Sequence, residues 1–175
     1  NGWNNLIDNN DGKTFGATVN FAPLSNLSII GNWIGGPEQV DSIGGKNRNV
    51  FEAIINYQIN DRFSVAANAD YGTEKLSTST VTWKGVALYA KYALTDESGI
   101  VVRAESYSDP DGYTTGIAHD VNEVTLTYEH RFFTNLMLRG EYRHDWSNVA
   151  AFDNHTGINI LQHQNTFVLG SVITF

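Results

Sequence analysis

Four charged residues on alternate positions, Arg139, Glu141, Arg143 and Asp145, carry the clearest chemistry in this sequence. Leu138, Gly140, Tyr142 and Trp146 alternate with them. In an extended chain, residues two apart project to the same side, so acids and bases form one row backed by an apolar row. A helical period of 3.6 would scatter both sets. Extending the same parity to other segments adds Glu52, Asp70, Lys91, Arg103, Glu105, Glu123, Glu129 and Arg131 to the charged side. Charges held in a dry interior are costly unless paired. Along a wet wall they create a local field that sorts ions and polar solutes. Lys91, Arg103, Glu105, Glu123, Arg139, Glu141 and Arg143 are therefore the expected lining of a lumen. The other reading is a plug of salt-bridged side chains without conduction, which a narrow barrel would favour.

Other chemistries find less support. Cysteine is absent, which removes disulfides, thiol catalysis and cysteine-based metal sites. Of the five histidines, His155 and His163 fall in the last long connection near Asp153, and His119 precedes Asp120. None has the spacing of a zinc site, and solvated loop histidines are the expectation. His144, Asp145 and Ser147 are close in sequence, but His144 and Asp145 point to opposite faces of a strand. Asp109-Pro110-Asp111-Gly112 and Asp8-Asn9-Asn10-Asp11-Gly12 resemble fragments of calcium loops without the full ligand register. Turn chemistry accounts for both. No catalytic residue, metal ligand or cofactor is expected.

The elements that must position the charged row are strands. Nine segments of about ten residues, the length a tilted strand needs to cross a bilayer, cover residues 14–22, 27–34, 50–58, 63–72, 81–94, 99–108, 121–132, 136–146 and 165–175. In the first, Phe15, Ala17, Val19 and Phe21 oppose Gly16, Thr18 and Asn20. In the last, Phe167, Leu169, Ser171, Ile173 and Phe175 oppose Thr166, Val168, Gly170, Val172 and Thr174. In water so apolar a strand would be an aggregation hazard, but in lipid its greasy face has a natural solvent.

The connections are expected to alternate in length. Tight polar turns at 23–26, 60–62, 95–98 and 133–135 suit hairpins. Between them lie longer stretches rich in Gly, Asp, Asn and Thr, at 35–49, 73–80, 109–120 and 147–164. All three prolines fall in connections, where no ladder donor is lost. Short turns at one end and long loops at the other describe an outer-membrane barrel. Outward aromatics form two bands: Phe21, Phe63, Tyr92, Tyr128 and Phe175 near the short turns, and Phe15, Trp33, Tyr71 and Trp146 near the long loops. Amphipathic rings favour both membrane–water interfaces.

Composition agrees. The 175 residues are 41% apolar and 12% aromatic, with 17% charged, and the mean hydropathy is −0.28. No run approaches the roughly 20 apolar residues of a membrane-spanning helix, whereas alternating barrel strands average to such mildly polar values. A net charge of −8 argues against nucleic acid as a partner. The opening Asn-Gly-Trp-Asn-Asn carries no cleavable signal, so the chain is read as mature, trimmed or partial. Counting back from a periplasmic Phe175 sends the first strand downward from outside. An upward strand is then missing, and the chain is expected to be the C-terminal portion of a larger barrel. A short strand contributed by residues 1–8, or a wall completed by neighbouring chains, would serve instead.

The opening NGWNNLIDNNDGKTFGATVNFAP resembles the OmpL-like putative beta-barrel porin-2 family, as does the ending VNEVTLTYEHRFFTNLMLRGEYRHDWSN followed by QNTFVLGSVITF. The anchors are Gly2-Trp3, Gly140-Glu141-Tyr142-Arg143 and Phe175. The resemblance spans essentially the whole chain and implies an outer-membrane porin without defined catalytic residues. The expectation is one all-β domain over residues 1–175, a transmembrane antiparallel up-and-down β-barrel of nine or ten visible strands in a bacterial outer membrane. It would pass small hydrophilic solutes or ions by passive diffusion and would contact the lipid bilayer and lipopolysaccharide. A homo-oligomer or an outer-membrane complex is a further expected setting, and a non-conducting scaffold barrel is the alternative function.

Overall fold

A chain alternating at period two satisfies its backbone by laddering with its neighbours, which keeps each set of side chains on its own face. The computed structural model describes residues 6–43, 46–154 and 156–175. Its strands are β1 (Phe15–Leu24), β2 (Leu27–Pro37), β3 (Asn47–Gln58), β4 (Phe63–Lys75), β5 (Thr80–Ala93), β6 (Ser98–Asp109), β7 (His119–Phe133), β8 (Leu136–Ser147), β9 (Phe152–Asn154), β10 (Gly157–Leu161) and β11 (His163–Ile173). Among the described residues, nine of them form one antiparallel sheet in the order β1-β2-β3-β4-β5-β6-β7-β8-β11. Each pairs with its predecessor, so the topology is up and down. The remaining two, β9 and β10, make a small hairpin inside the connection from β8 to β11.

Register carries the two faces across the whole sheet. Ala53, Ala69, Val86 and Ser106 follow one another in a ladder row, as do Val102, Leu126, Tyr142 and Phe167. This face is apolar and open: Val19 is 68% exposed, Leu126 50% and Leu169 92%. On the opposite face Glu105, Glu123, Asp145 and Gln164 share one row. The usual order is inverted, since the buried side chains are mostly polar, with Glu74, Asp109 and Asp145 fully covered. That polar face is concave. Lys91 on β5 reaches Glu129 on β7 past the intervening strand, a contact that curling toward this face shortens.

Nine strands stand where nine were expected, but several connections differ. β4 runs on to Lys75 and β5 begins at Thr80, so the expected long loop at 73–80 is a four-residue turn at 76–79. β2 and β3 likewise extend to Pro37 and from Asn47, which shortens their connection to 38–46. The reason is physical: Gly72, Thr73, Glu74 and Lys75 continue the alternation and find ladder partners in Thr80–Trp83. The last connection contains the β9–β10 hairpin, and His163 opens β11 opposite Trp146 instead of lying in a loop. Thr174 and Phe175 extend past β11, with the Thr174 N–H donating to the Asn135 carbonyl at 3.0 Å. Among the described residues, β1 and β11 are each paired on one side, leaving the sheet with two open edges. The Gly2-Trp3 pair and His155 lie outside the described residues.

Candidate functional site

Parity places all seven expected lining residues on the concave face, in β5 (Lys91), β6 (Arg103, Glu105), β7 (Glu123) and β8 (Arg139, Glu141, Arg143). They form two linked groups. In the first, Glu123 receives Arg103 through two guanidinium contacts, one at 2.6 Å from Nε, and also Arg143 at 3.1 Å. Arg143 bonds Asp145 at 2.7 Å, and Glu105 lies 3.6 Å from Arg103. Thr125 donates to Glu123 at 2.7 Å, and Gln164 donates to Asp145 at 3.0 Å. In the second group Lys91 and Arg139 share Glu129, the latter at 3.4 Å, while Thr127 donates to Glu141 at 3.0 Å.

The burial of these pairs is layered. Glu123, Glu129 and Asp145 have side chains only 6%, 8% and 1% exposed, whereas Lys91 and Arg139 stand 48% and 46% exposed. Carboxylates sit against the strands because short acceptors reach neighbouring hydroxyls and amides there. The longer basic side chains extend over them and hold their charged heads in the open. Each buried acid is met by several donors, as a covered charge requires. The surface that a solute meets at Glu123, Glu129 and Asp145 is consequently the cationic side of each pair, whereas Glu105 is about as exposed as its partner Arg103.

The other wing of the concave face, from β1 to β4, carries amides and acids. Glu52 accepts from Asn32 at 2.5 Å and from Asn68 at 2.9 Å, and it faces Asp70 across the ladder. Between the wings an open cleft of about 1020 Å³ lies over the short-turn half of the face, bounded by Ser28, Asn56, Tyr89, Lys91, Glu129 and Arg139 among others.

At the long-connection end the face is roofed by a cluster that the sequence analysis passed over. Glu74 accepts from Arg48 Nε at 2.5 Å, from the Tyr113 hydroxyl at 2.8 Å and from Gln39. Tyr113 stacks on Trp83 with ring centroids 5.9 Å apart. Connections 38–46 and 110–118 are thereby drawn inward over the concave face. Burial pushes the Tyr113 phenol above its ordinary value, and the hydrogen bond it gives Glu74 adds to this. The available signal was parity: counting on from Asp70 through Gly72 puts Glu74 on the charged side, and counting back from Glu52 puts Arg48 there too.

Asp109 shows why its segment resembled a calcium loop. Its two carboxylate oxygens accept the N–H groups of Tyr113, Thr114 and Thr115 at 2.8–2.9 Å and the hydroxyls of Thr114 and Thr115 at 2.8 and 3.0 Å. Burial alone would raise this carboxyl. The hydrogen bonds from Thr114, Thr115 and Tyr113 outweigh it and hold the carboxyl near 2, against 3.8 ordinarily. The acceptors that a cation would need are spent on the loop itself, as turn chemistry predicts. In the opening segment, Asn10 caps the Gly12 N–H at 2.9 Å and donates to the Pro37 carbonyl at 3.2 Å.

The histidines are dispersed. His144 is on the apolar face, bonded to Asn165 at 2.9 Å, while Asp145 is on the concave face, so the two do not meet. His119 corrects the expectation of solvated loop histidines, since it opens β7, is 8% exposed, and lies 3.3 Å from Ser147 Oγ. Its strand position follows from pairing with Asp109 at the end of β6. His130 contacts Ser98 at 2.7 Å near a short turn.

The aromatic bands keep their expected face. Phe21, Tyr92 and Tyr128 are exposed toward the short turns, and Phe15, Trp33, Tyr71 and Trp146 toward the long connections.

The sequence model of the family described as Putative beta-barrel porin-2, OmpL-like, matches residues 1–175, the entire chain. No curated protein matches it, and neither does any solved structure.

Proposed function

Because this chain belongs to the Putative beta-barrel porin-2, OmpL-like family, we propose that it forms the wall of a transmembrane barrel in a bacterial outer membrane. Small hydrophilic solutes and ions diffuse passively along its concave face, with no enzymatic step. The observation that carries this reading is the inversion of burial: apolar side chains stand open on one face while ionised ones pair on the other. Lipid is the solvent that suits the first arrangement, and water or a counter-charge suits the second. Trp33, Tyr71 and Trp146 then sit at the outer interface beside lipopolysaccharide, with Tyr92 and Tyr128 at the inner one.

Inside a bilayer an unpaired backbone group is costly, so the ladders left open on β1 and β11 require partners. Further strands, from the same polypeptide or from a neighbouring copy, close the wall between them. The lumen so formed is lined by Lys91, Arg103, Glu105, Glu123, Arg139, Glu141 and Arg143. It sieves by width and biases ions through the charges its wall presents.

Planar-bilayer recording of the full-length protein tests this. Stepwise single-channel conductance is expected, and Arg139→Glu with Arg143→Glu should shift the reversal potential in a salt gradient toward cation preference. Absence of open-channel steps, together with a partner that co-purifies at fixed stoichiometry, would instead make the barrel a scaffold.

A further inference from the structure

The charges on the concave face change sign along the strands. Toward the short turns lie Arg131, Lys91 and Arg139, accompanied by the acids Glu129 and Glu141, and Arg103 and Arg143 share a row at mid-height. Toward the long connections come the row of Glu105, Glu123 and Asp145, then Glu52 with Asp70, then Glu74 and Asp109, accompanied by Arg48. Net charge does not reveal this. The chain as a whole carries −8, yet its most exposed paired cations gather at one end of one face.

We propose that the short-turn end of the concave face is a binding station for small polyanionic solutes, held between Lys91 and Arg139, in a lumen polarised from basic to acidic along its axis. This rests on the pore reading above and names the solute class it favours.

Three features support it. First, Lys91 and Arg139 both border the cleft of about 1020 Å³, with Glu129 between them. Glu129 is 8% exposed while the two cations are 48% and 46% exposed, so the cleft meets their positive heads before the carboxylate. Second, one carboxylate serves both cations, Lys91 on Oε1 and Arg139 on Oε2 at 3.4 Å. A guanidinium offers five N–H donors in a fixed fork, which this single long contact leaves largely open to an incoming carboxylate or phosphate. Third, the nearby acid Glu141 is engaged by the Thr127 hydroxyl at 3.0 Å. Asp145 lies six residues from Arg139 along β8, roughly 20 Å at the rise of a strand and beyond the roughly 8 Å over which physiological salt lets exposed charges interact. Ser28, Asn56 and Tyr89 border the same cleft and supply neutral hydrogen-bonding partners.

Citrate is a suitable probe, added to one side at a time while potassium chloride current is recorded through the full-length protein in a planar bilayer. The polarised wall predicts that citrate blocks from one side at roughly a tenfold lower concentration than from the other, the equivalent of about one charge-assisted contact. Lys91→Gln and Arg139→Gln should each abolish most of that difference, and Lys91→Arg should keep it. Without any variant, the current in dilute symmetric salt should rectify. A conducting channel that is ohmic in dilute salt and blocked equally from both sides overturns this inference alone, as does block unchanged in both glutamine variants. A protein that never conducts overturns the pore reading and this one with it.

Discussion

Tyr113, in the connection after β6, donates its hydroxyl to Glu74 on β4 at 2.8 Å, reaching across β5 and stacking on its Trp83 as it does so. Glu74 also holds Arg48 of β3. One fully buried carboxylate thus ties two strands and two connections into a roof over part of the concave face. Protein groups alone satisfy it, the Arg48 guanidinium by an ion pair and Tyr113 and Gln39 by neutral hydrogen bonds, because its side chain has no contact with water.

Removing that acceptor should loosen the roof. Glu74→Ala leaves Arg48, whose side chain is 17% exposed, beside a void with its main partner gone, and breaking a covered pair of this kind costs about 3–5 kcal/mol. Limited proteolysis should then nick connections 38–46 and 110–118, which resist in the parent protein. Intact connections in a Glu74→Ala variant would show that the network is ornamental.

The loop at Asp109 should depend on pH in a defined window. Its folded-state carboxyl sits near 2 against 3.8 ordinarily, so the ionised form stabilises the loop above the ordinary value. That contribution is on the order of 2 kcal/mol and is lost as pH falls from about 4 through 2. Pepsin, which works in this range, should cleave around Tyr113 only as pH approaches 2. Asp109→Asn should already be cut at pH 4.

Gly72 allows Trp83 to lie flat on the concave face. A Cβ at this position would come within 1.9 Å of the indole ring, and the ring cannot retreat without leaving Tyr113. Gly72→Ala is therefore expected to cost about 1–3 kcal/mol. It should also shift tryptophan fluorescence, and a variant with parental emission and stability would contradict the packing described.

The open apolar face offers a direct test of lipid contact. Leu126 is 50% exposed in the middle of β7, paired with Val102 and Tyr142. If lipid covers it, Leu126→Arg should lower stability in a bilayer by roughly 2–4 kcal/mol, measured by denaturant titration of the membrane-inserted protein. An arginine tolerated there without cost would mean that water, not hydrocarbon, bathes this face.

Much of this was legible from period two alone. The faces of β8 and β11 follow residue by residue from their alternation, since a strand has no other way to segregate side chains. The same parity separates His144 from Asp145, which lie on opposite faces of β8. What failed was the placing of ends. Thr73, Glu74 and Lys75 read as loop residues because polar composition resembles a turn, yet they ladder with β5. His119 reads as solvated because its segment, 109–120, is rich in Gly, Asp and Thr, whereas pairing with Asp109 and contact with Ser147 leave it buried.

Sequence by itself determined which residues share a face, because side-chain direction in a strand is a local property set by the backbone. It also determined four hairpins, because turns of two to four residues permit only antiparallel neighbours, while the longer connections left the pairing between hairpins to the sheet as a whole. Tertiary structure alone decided which charges meet: whether Lys91 reaches Glu129 across β6, and whether Tyr113 bends inward to Glu74. Those depend on curvature and loop path, which arise from the sheet as a whole and leave no periodic trace in the chain.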